Sequence, residues 1–283
     1  MQTWRAWNAA KLPGRAVNRF VRGWVGERLT IEVHRTACVV THPPGGERAN
    51  SALVNAANER LAGARFGEEE CWRELYGSPA DRETNDRYVT AAFSTVDGLV
   101  TAFGGDGLAR ACAALPADAD GARCRTGGAV LTPAFGELRE EFDAVIHAVA
   151  PFYRAGAPRD GAWAATLRGA YVAAFDVAAE AALPSLAVPL LGAGARGVDL
   201  ERGAALRVAA EAAVGWRRGD APSPARRLTA RFALQTSSDA HALCDALEDA
   251  IRADGGRFEP AAAPPLETER WALGHLRRAR VSV

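Results

Sequence analysis

Residues 51–63 read SALVNAANERLAG. Ala52, Leu53 and Val54 are apolar and short enough for a buried strand, whereas Asn55 and Asn58 bring amide side chains to the point where that strand ends. A protein core does not accept unpaired amides. The pattern therefore predicts a strand that runs out of the core to a place where something polar meets the two asparagines.

Strand-like and helix-like stretches alternate on either side of it. Residues 29–33, 38–41, 143–149, 185–191 and 228–235 read as strands, and residues 107–115, 163–182, 200–214 and 239–253 carry helical patterns, with Ser238 or Asp239 as the cap of the last. This alternation places the chain in the α/β class. Residues 64–95 are charged and irregular and too long for an ordinary connection, which predicts a surface insertion. Beyond Ala253 a Pro-, Gly- and Ala-rich linker leads to a basic tail.

The first residues differ in sign from the rest: Arg5, Lys11, Arg15, Arg19 and Arg22 precede the first acidic residue, Glu27. Val17, Phe20, Val21 and Trp24 recur at helical spacing with Arg15, Arg19 and Arg22 opposite, which predicts a basic amphipathic helix. Such a helix fits mitochondrial or plastid targeting by residues 1–26; it fits at least as well a helix that packs its tryptophan-rich face on the domain, and less well one on a membrane surface. The expected organisation is an extension (1–28), one domain (29–252) carrying the insertion, and a tail (253–283).

Of 283 residues, 48% are hydrophobic and 24% charged, an ordinary globular mixture. Thirty-four basic residues balance 34 acidic ones, so nucleic acid, whose partners carry a concentrated basic excess, is not indicated. The five cysteines Cys38, Cys71, Cys112, Cys124 and Cys244 form no CxxC pair, which predicts reduced thiols in an intracellular protein, cytoplasmic or nuclear unless targeted. No histidine pair has metal spacing, and no apolar run reaches the roughly 20 residues of a membrane span. Neither a metal nor a cofactor nor a transmembrane helix is expected.

Two further stretches carry chemistry. PLLGAGARGVDL (residues 189–200) follows an apolar strand and precedes a helix; Gly192, Gly194 and Gly197 suit either tight packing or a loop whose amides converge on a phosphate. It lacks the lysine and hydroxyl residue of a Walker loop. In STVDGLV (residues 94–100), Asp97 stands before a glycine, where an aspartate either caps a helix or serves as a base.

VNAAN (residues 54–58), VDGLV (96–100), CRTGGAVLTPAF (124–135), AVIHAVAP (144–151) and PLLGAGARGVDL occur in the order and approximate spacing of macrodomains, the ADP-ribose-binding modules, and the chain resembles that family over residues 29–252. The resemblance implies a three-layer α/β/α sandwich with a mixed central sheet and a cleft at the strand ends. It implies that Asn55 and Asn58 meet the terminal ribose, that Gly192, Ala193, Gly194, Ala195, Arg196 and Gly197 wrap the diphosphate, and that Ser94, Thr95, Val96 and Gly98 approach it from the other side. In the hydrolytic branch it resembles most, Asp97 and Asn55 are the catalytic pair, acting on mono-ADP-ribosyl esters of acidic side chains or on O-acetyl-ADP-ribose. A non-catalytic reader of ADP-ribose or ADP-ribosylated proteins is the alternative, and an interaction scaffold a third.

The chain departs from the family pattern at four places. The insertion replaces a short glycine-rich loop, Thr101 stands where a histidine often follows VDG, Arg196 replaces an aromatic residue and is able to pair with a phosphate or carboxylate, and Arg35 and Thr36 replace a Gly-Asp pair that holds adenine. His147, inside an apolar strand, reads as a satisfied core residue. Glu68, Glu69 and Glu70 read as a solvated charge run.

Overall fold

The computed structural model describes residues 18–46, 48–63, 95–153, 161–197, 200–216, 227–255 and 259–262. Cys71, the glutamate run, Ser94 and nearly all of the insertion lie outside the described residues.

Among the described residues eight strands form one sheet: β1 (Arg19–Val25), β2 (Leu29–Arg35), β3 (Ala52–Ala56), β4 (Ala129–Pro133), β5 (Ala144–Ala148), β6 (Ser185–Pro189), β7 (Leu228–Leu234) and β8 (Glu259–Pro260). Their spatial order is β4-β5-β3-β6-β7-β2-β1-β8. The run from β5 to β2 is parallel, while β4, β1 and β8 pair antiparallel toward the edges. The α-helices of the described residues cover the faces: α1 (Val96–Ala113), α2 (Ala162–Glu180), α3 (Arg202–Trp216) and α4 (Ser237–Ala253). This is the expected α/β/α sandwich with a mixed sheet.

Strands buried on both faces read as continuous apolar runs. Side-chain alternation divides them between two cores: Ala52, Val54, Ile146 and Val188 pack with α2, α3 and α4, whereas Leu53, Val145 and Ala187 pack with Leu99, Val100 and Phe103 of α1. By the same period of two, Asn55 and His147 fall on the α1 face. They are register partners on adjacent parallel strands.

Helix ends follow local chemistry. Thr95 caps α1, its hydroxyl accepting from the Gly98 amide at 3.1 Å, and Thr236 caps α4 in the same way through Asp239. α2 buries Trp163, Leu167, Tyr171, Phe175 and Ala178, a stripe spaced every three to four residues. The fully buried Tyr171 hydroxyl accepts from the Leu191 amide at 2.8 Å, just before the glycine loop. Tyr171→Phe leaves that buried N–H unpaired; urea unfolding should register a loss of about 1–3 kcal/mol.

Four expectations need correction. Residues 19–25 form strand β1, not an amphipathic helix: the chain pairs with β2 from Arg19↔Arg35 to Val25↔Thr30 around a bulge at Val21 and seats Trp24 in the main core. The open side of β2 offers backbone partners that outweigh a helical spacing. Residues 38–41 are turns in which the His42 amide bonds to the Cys38 carbonyl, with Val39 and Val40 buried against the α1 core. The helix expected from residue 107 starts at Val96, interrupted where Gly105 takes φ 55°. Thr236 rather than Ser238 or Asp239 caps α4.

Candidate active site

The strand order puts the C-terminal ends of β5, β3 and β6 side by side, so Asn55, His147 and the loop after Pro189 emerge at one edge of the sheet. α1 begins above that edge, and its first turn carries Asp97. The helix dipole favours a carboxylate there.

Asn55 Nδ2 donates to Asp97 Oδ1 at 2.7 Å, joining two residues 42 positions apart. Asn55 is 2% exposed, and its Oδ1 is buried with no hydrogen-bond partner among the described residues. An unmet buried acceptor costs about 1–3 kcal/mol, a debt that an incoming hydroxyl donor cancels. Both residues line a small open cleft with Leu61, Gly63, Thr101, Gly105 and His147. Thr101 donates its hydroxyl to the Asp97 carbonyl at 2.8 Å and so braces the first turn of α1.

His147 is 2% exposed, as expected of a core residue. Burial pushes its pKa down to about 4, so the ring is neutral near pH 7. It touches the site nonetheless: Nδ1 lies 3.3 Å from Asn55 Nδ2, and Nε2 lies 3.0 Å from Thr132 Oγ1.

Other sequence-predicted residues have local duties. Asn58 is buried and its side-chain oxygen accepts from the Ala62 amide at 3.3 Å, holding the turn after β3. Thr95 and Gly98 are joined by the α1 cap, and Val96 opens that helix.

In the glycine loop, Gly192 has φ +73°, Gly194 is exposed, and Ala195–Gly197 forms a single 3-10 turn closed by the Gly197 amide on the Gly194 carbonyl at 2.9 Å. A Cβ on Gly197 would lie 2.0 Å from the Gly192 carbonyl oxygen, so only glycine fits that closure.

Of the two partners open to Arg196, the carboxylate is the one found. Its guanidinium holds Glu59 in a fork, Nη1 to Oε1 at 2.9 Å and Nη2 to Oε2 at 2.7 Å, donates to the Ala150 carbonyl and lies 4.5 Å from the Phe152 ring. Thr126 donates to the same carboxylate at 2.6 Å. The fork fastens the glycine loop to the turn after Asn58 and so couples the two halves of the site. Glu59 escaped the sequence reading because its partner is 137 residues away; an acid directly after VNAAN and a lone Arg among glycines were the available signal.

Burial by itself would raise the Glu59 pKa, but hydrogen bonds from Arg196 and Thr126 outweigh it and hold the carboxyl at about 2, below its ordinary 4.5. A depressed carboxyl contributes stability that is complete above the unfolded pKa and is lost as pH falls through the folded one. Glu59→Gln should therefore lower the urea midpoint at pH 6, and the gap from the parent protein should close as pH falls from 4.5 toward about 2. A gap that stays constant over that range would mean that the ion pair does not stabilise the fold.

Among the described residues no group of His, Cys, Asp and Glu is placed to hold a metal ion, and no helix is long and apolar enough to cross a membrane. Cys38, Cys112, Cys124 and Cys244 are free thiols.

Comparison with known proteins adds to this geometry. Residues 54–207 match the Macro domain. A Macro domain-containing protein of Caldanaerobacter subterraneus subsp. tengcongensis is 33% identical over 145 residues, which cover 48% of this chain and 78% of that protein. Among solved structures, a mutant macrodomain of Oceanobacillus iheyensis aligns with a TM-score of 0.60 at 16% identity, over 86% of this chain and 98% of the other. The Oceanobacillus iheyensis macrodomain with ADP gives 0.57 at 16% identity, over 83% and 99%. At such identity the structural likeness is one of fold.

Proposed function

Because this chain belongs to the Macro domain family, we propose that it binds ADP-ribose and hydrolyses mono-ADP-ribosyl esters on acidic side chains, with O-acetyl-ADP-ribose as a second substrate of the same site. The observation that carries the reading is the 2.7 Å bond from Asn55 to Asp97 beside a buried, unmet Asn55 oxygen. A carboxylate that also faces a cleft is suited to a water, and an unmet amide oxygen to a sugar hydroxyl. Solved relatives of this fold hold ADP and ADPR.

In the proposed step Asp97 orients a water at the anomeric carbon and takes its proton as the new C–O bond forms. The bond from that carbon to the ester oxygen breaks, and the acidic side chain leaves as a carboxylate with the bonding pair. The products are ADP-ribose and the unmodified protein. Asn55 fixes the ribose so that the water meets the reacting carbon, and positioning and general-base help are separate contributions. Gly192, Ala193, Gly194, Ala195 and Gly197 supply the loop that wraps the diphosphate, with Arg196 bracing it through Glu59.

The deciding experiment combines calorimetry with ADP-ribose and incubation with a glutamate-linked mono-ADP-ribosylated protein. Binding together with release of ADP-ribose is the expected result. Binding without release would make the protein a reader, and the absence of both would overturn the assignment.

A further inference from the structure

We infer that His147 is the positioning residue that orients Asn55, acting as a single neutral tautomer with its proton on Nε2 and Nδ1 bare. The inference deepens the proposed function and rests on that reading only for its consequence for the ligand; the tautomer itself belongs to the ligand-free protein.

The argument begins at Asp97. An ionised carboxylate has no proton to give, so the Asn55 group 2.7 Å from Asp97 Oδ1 must be the NH2. The same nitrogen lies 3.3 Å from His147 Nδ1, and its second hydrogen finds an acceptor there only if Nδ1 is unprotonated. A neutral ring with a bare Nδ1 carries its proton on Nε2, and burial, which holds the pKa to about 4, keeps it neutral. Nε2 faces the Thr132 hydroxyl at 3.0 Å, able to accept, and the Cys112 sulfur at 3.6 Å, a weak acceptor.

Thr132, His147 and Asn55 lie on neighbouring strands β4, β5 and β3, so the sheet itself fixes their spacing. With both hydrogens of the amide claimed, Asn55 Oδ1 can only turn away from Asp97 and His147, where it remains as the unmet acceptor. Were the proton on Nδ1, two donors would meet at 3.3 Å. Turning the amide over to relieve that contact would place its oxygen 2.7 Å from a carboxylate oxygen. The Thr132 hydroxyl, free to donate or accept, takes the accepting role toward the Nε2 proton and so completes the chain of bonds from Asp97 without reaching the cleft.

The test uses the full chain labelled with 15N at histidine. Ring nitrogen shifts in the ligand-free protein at neutral pH should show His147 protonated on Nε2 alone. Thr132→Val removes the hydroxyl acceptor, so the ring should populate the Nδ1–H form and ADP-ribose affinity should fall by about five- to tenfold, the size of one lost hydrogen bond. Thr132→Ser should restore both. An Nδ1–H or doubly protonated ring in the parent protein overturns the inference whether or not any variant folds. So does a Thr132→Val protein whose ring changes tautomer while its affinity does not. An Nε2–H ring in a parent protein that binds no ADP-ribose would instead uphold the orientation of Asn55 and remove the proposed function.

Discussion

Replacing Asp97 with alanine should lower hydrolysis of a glutamate-linked ADP-ribosyl ester by about 100- to 10,000-fold, the usual worth of a positioned general base, while ADP-ribose affinity changes only a few-fold. The asymmetry follows from the geometry. Asp97 meets Asn55 through one oxygen at 2.7 Å, and its loss frees one amide hydrogen but leaves β3 and His147 to hold that side chain. Asp97→Asn sharpens the test, because its amide oxygen still accepts from Asn55 but has negligible basicity. Single-turnover rates should fall alike in both variants, with affinity in Asp97→Asn nearer the parent value. If Asp97→Ala keeps its turnover, the proposed base is wrong; if turnover and affinity fall by one factor, Asp97 is a binding residue only.

The meeting of Asn55 with Asp97 is legible in the sequence, and the reason lies in where its information sits. Asn55 and Asp97 each stand in a short contiguous motif that is recognisable without knowing any distant partner, and the apolar runs of β3, β5, β6 and β7 specify a doubly covered sheet. α2, α3 and α4 are long enough for their period to be plain. What stayed hidden depends on partners remote in sequence. β1 carries Phe20 and Trp24 at a spacing that suits a helix, and only the unpaired side of β2 decides for a strand. Val39 and Val40 are apolar because they are buried, not because they are extended. The Gly104-Gly105 pair disguises the middle of α1. Likewise the Glu59–Arg196 fork joins residues that no local pattern relates. His147 was legible as a core residue, but its bond to Asn55 follows from register, with Asn55↔His147 paired across β3 and β5.

Of two glycines in one loop, one should tolerate an added methyl group and the other should not. Gly197→Ala would put a Cβ 2.0 Å from the Gly192 carbonyl oxygen, a backbone atom that cannot swing aside as a flexible side chain would. The turn closed by Gly197 on Gly194 must open, and the amides it presents must move. Overpacking of this kind costs about 1–3 kcal/mol; where that cost falls on the closed, ligand-ready loop it corresponds to about five- to 150-fold in ADP-ribose affinity. Gly194→Ala meets no atom within 4 Å and should bind like the parent protein. Calorimetry on both variants, with thermal melts to confirm that each is folded, compares them directly. Equal affinities would mean that this loop does not hold the diphosphate; a loss confined to Gly197→Ala would tie binding to the closed shape of the turn. That shape also depends on Arg196, whose fork to Glu59 restrains the loop from the other side, so the cost of the added methyl should shrink in a protein that already carries Glu59→Gln.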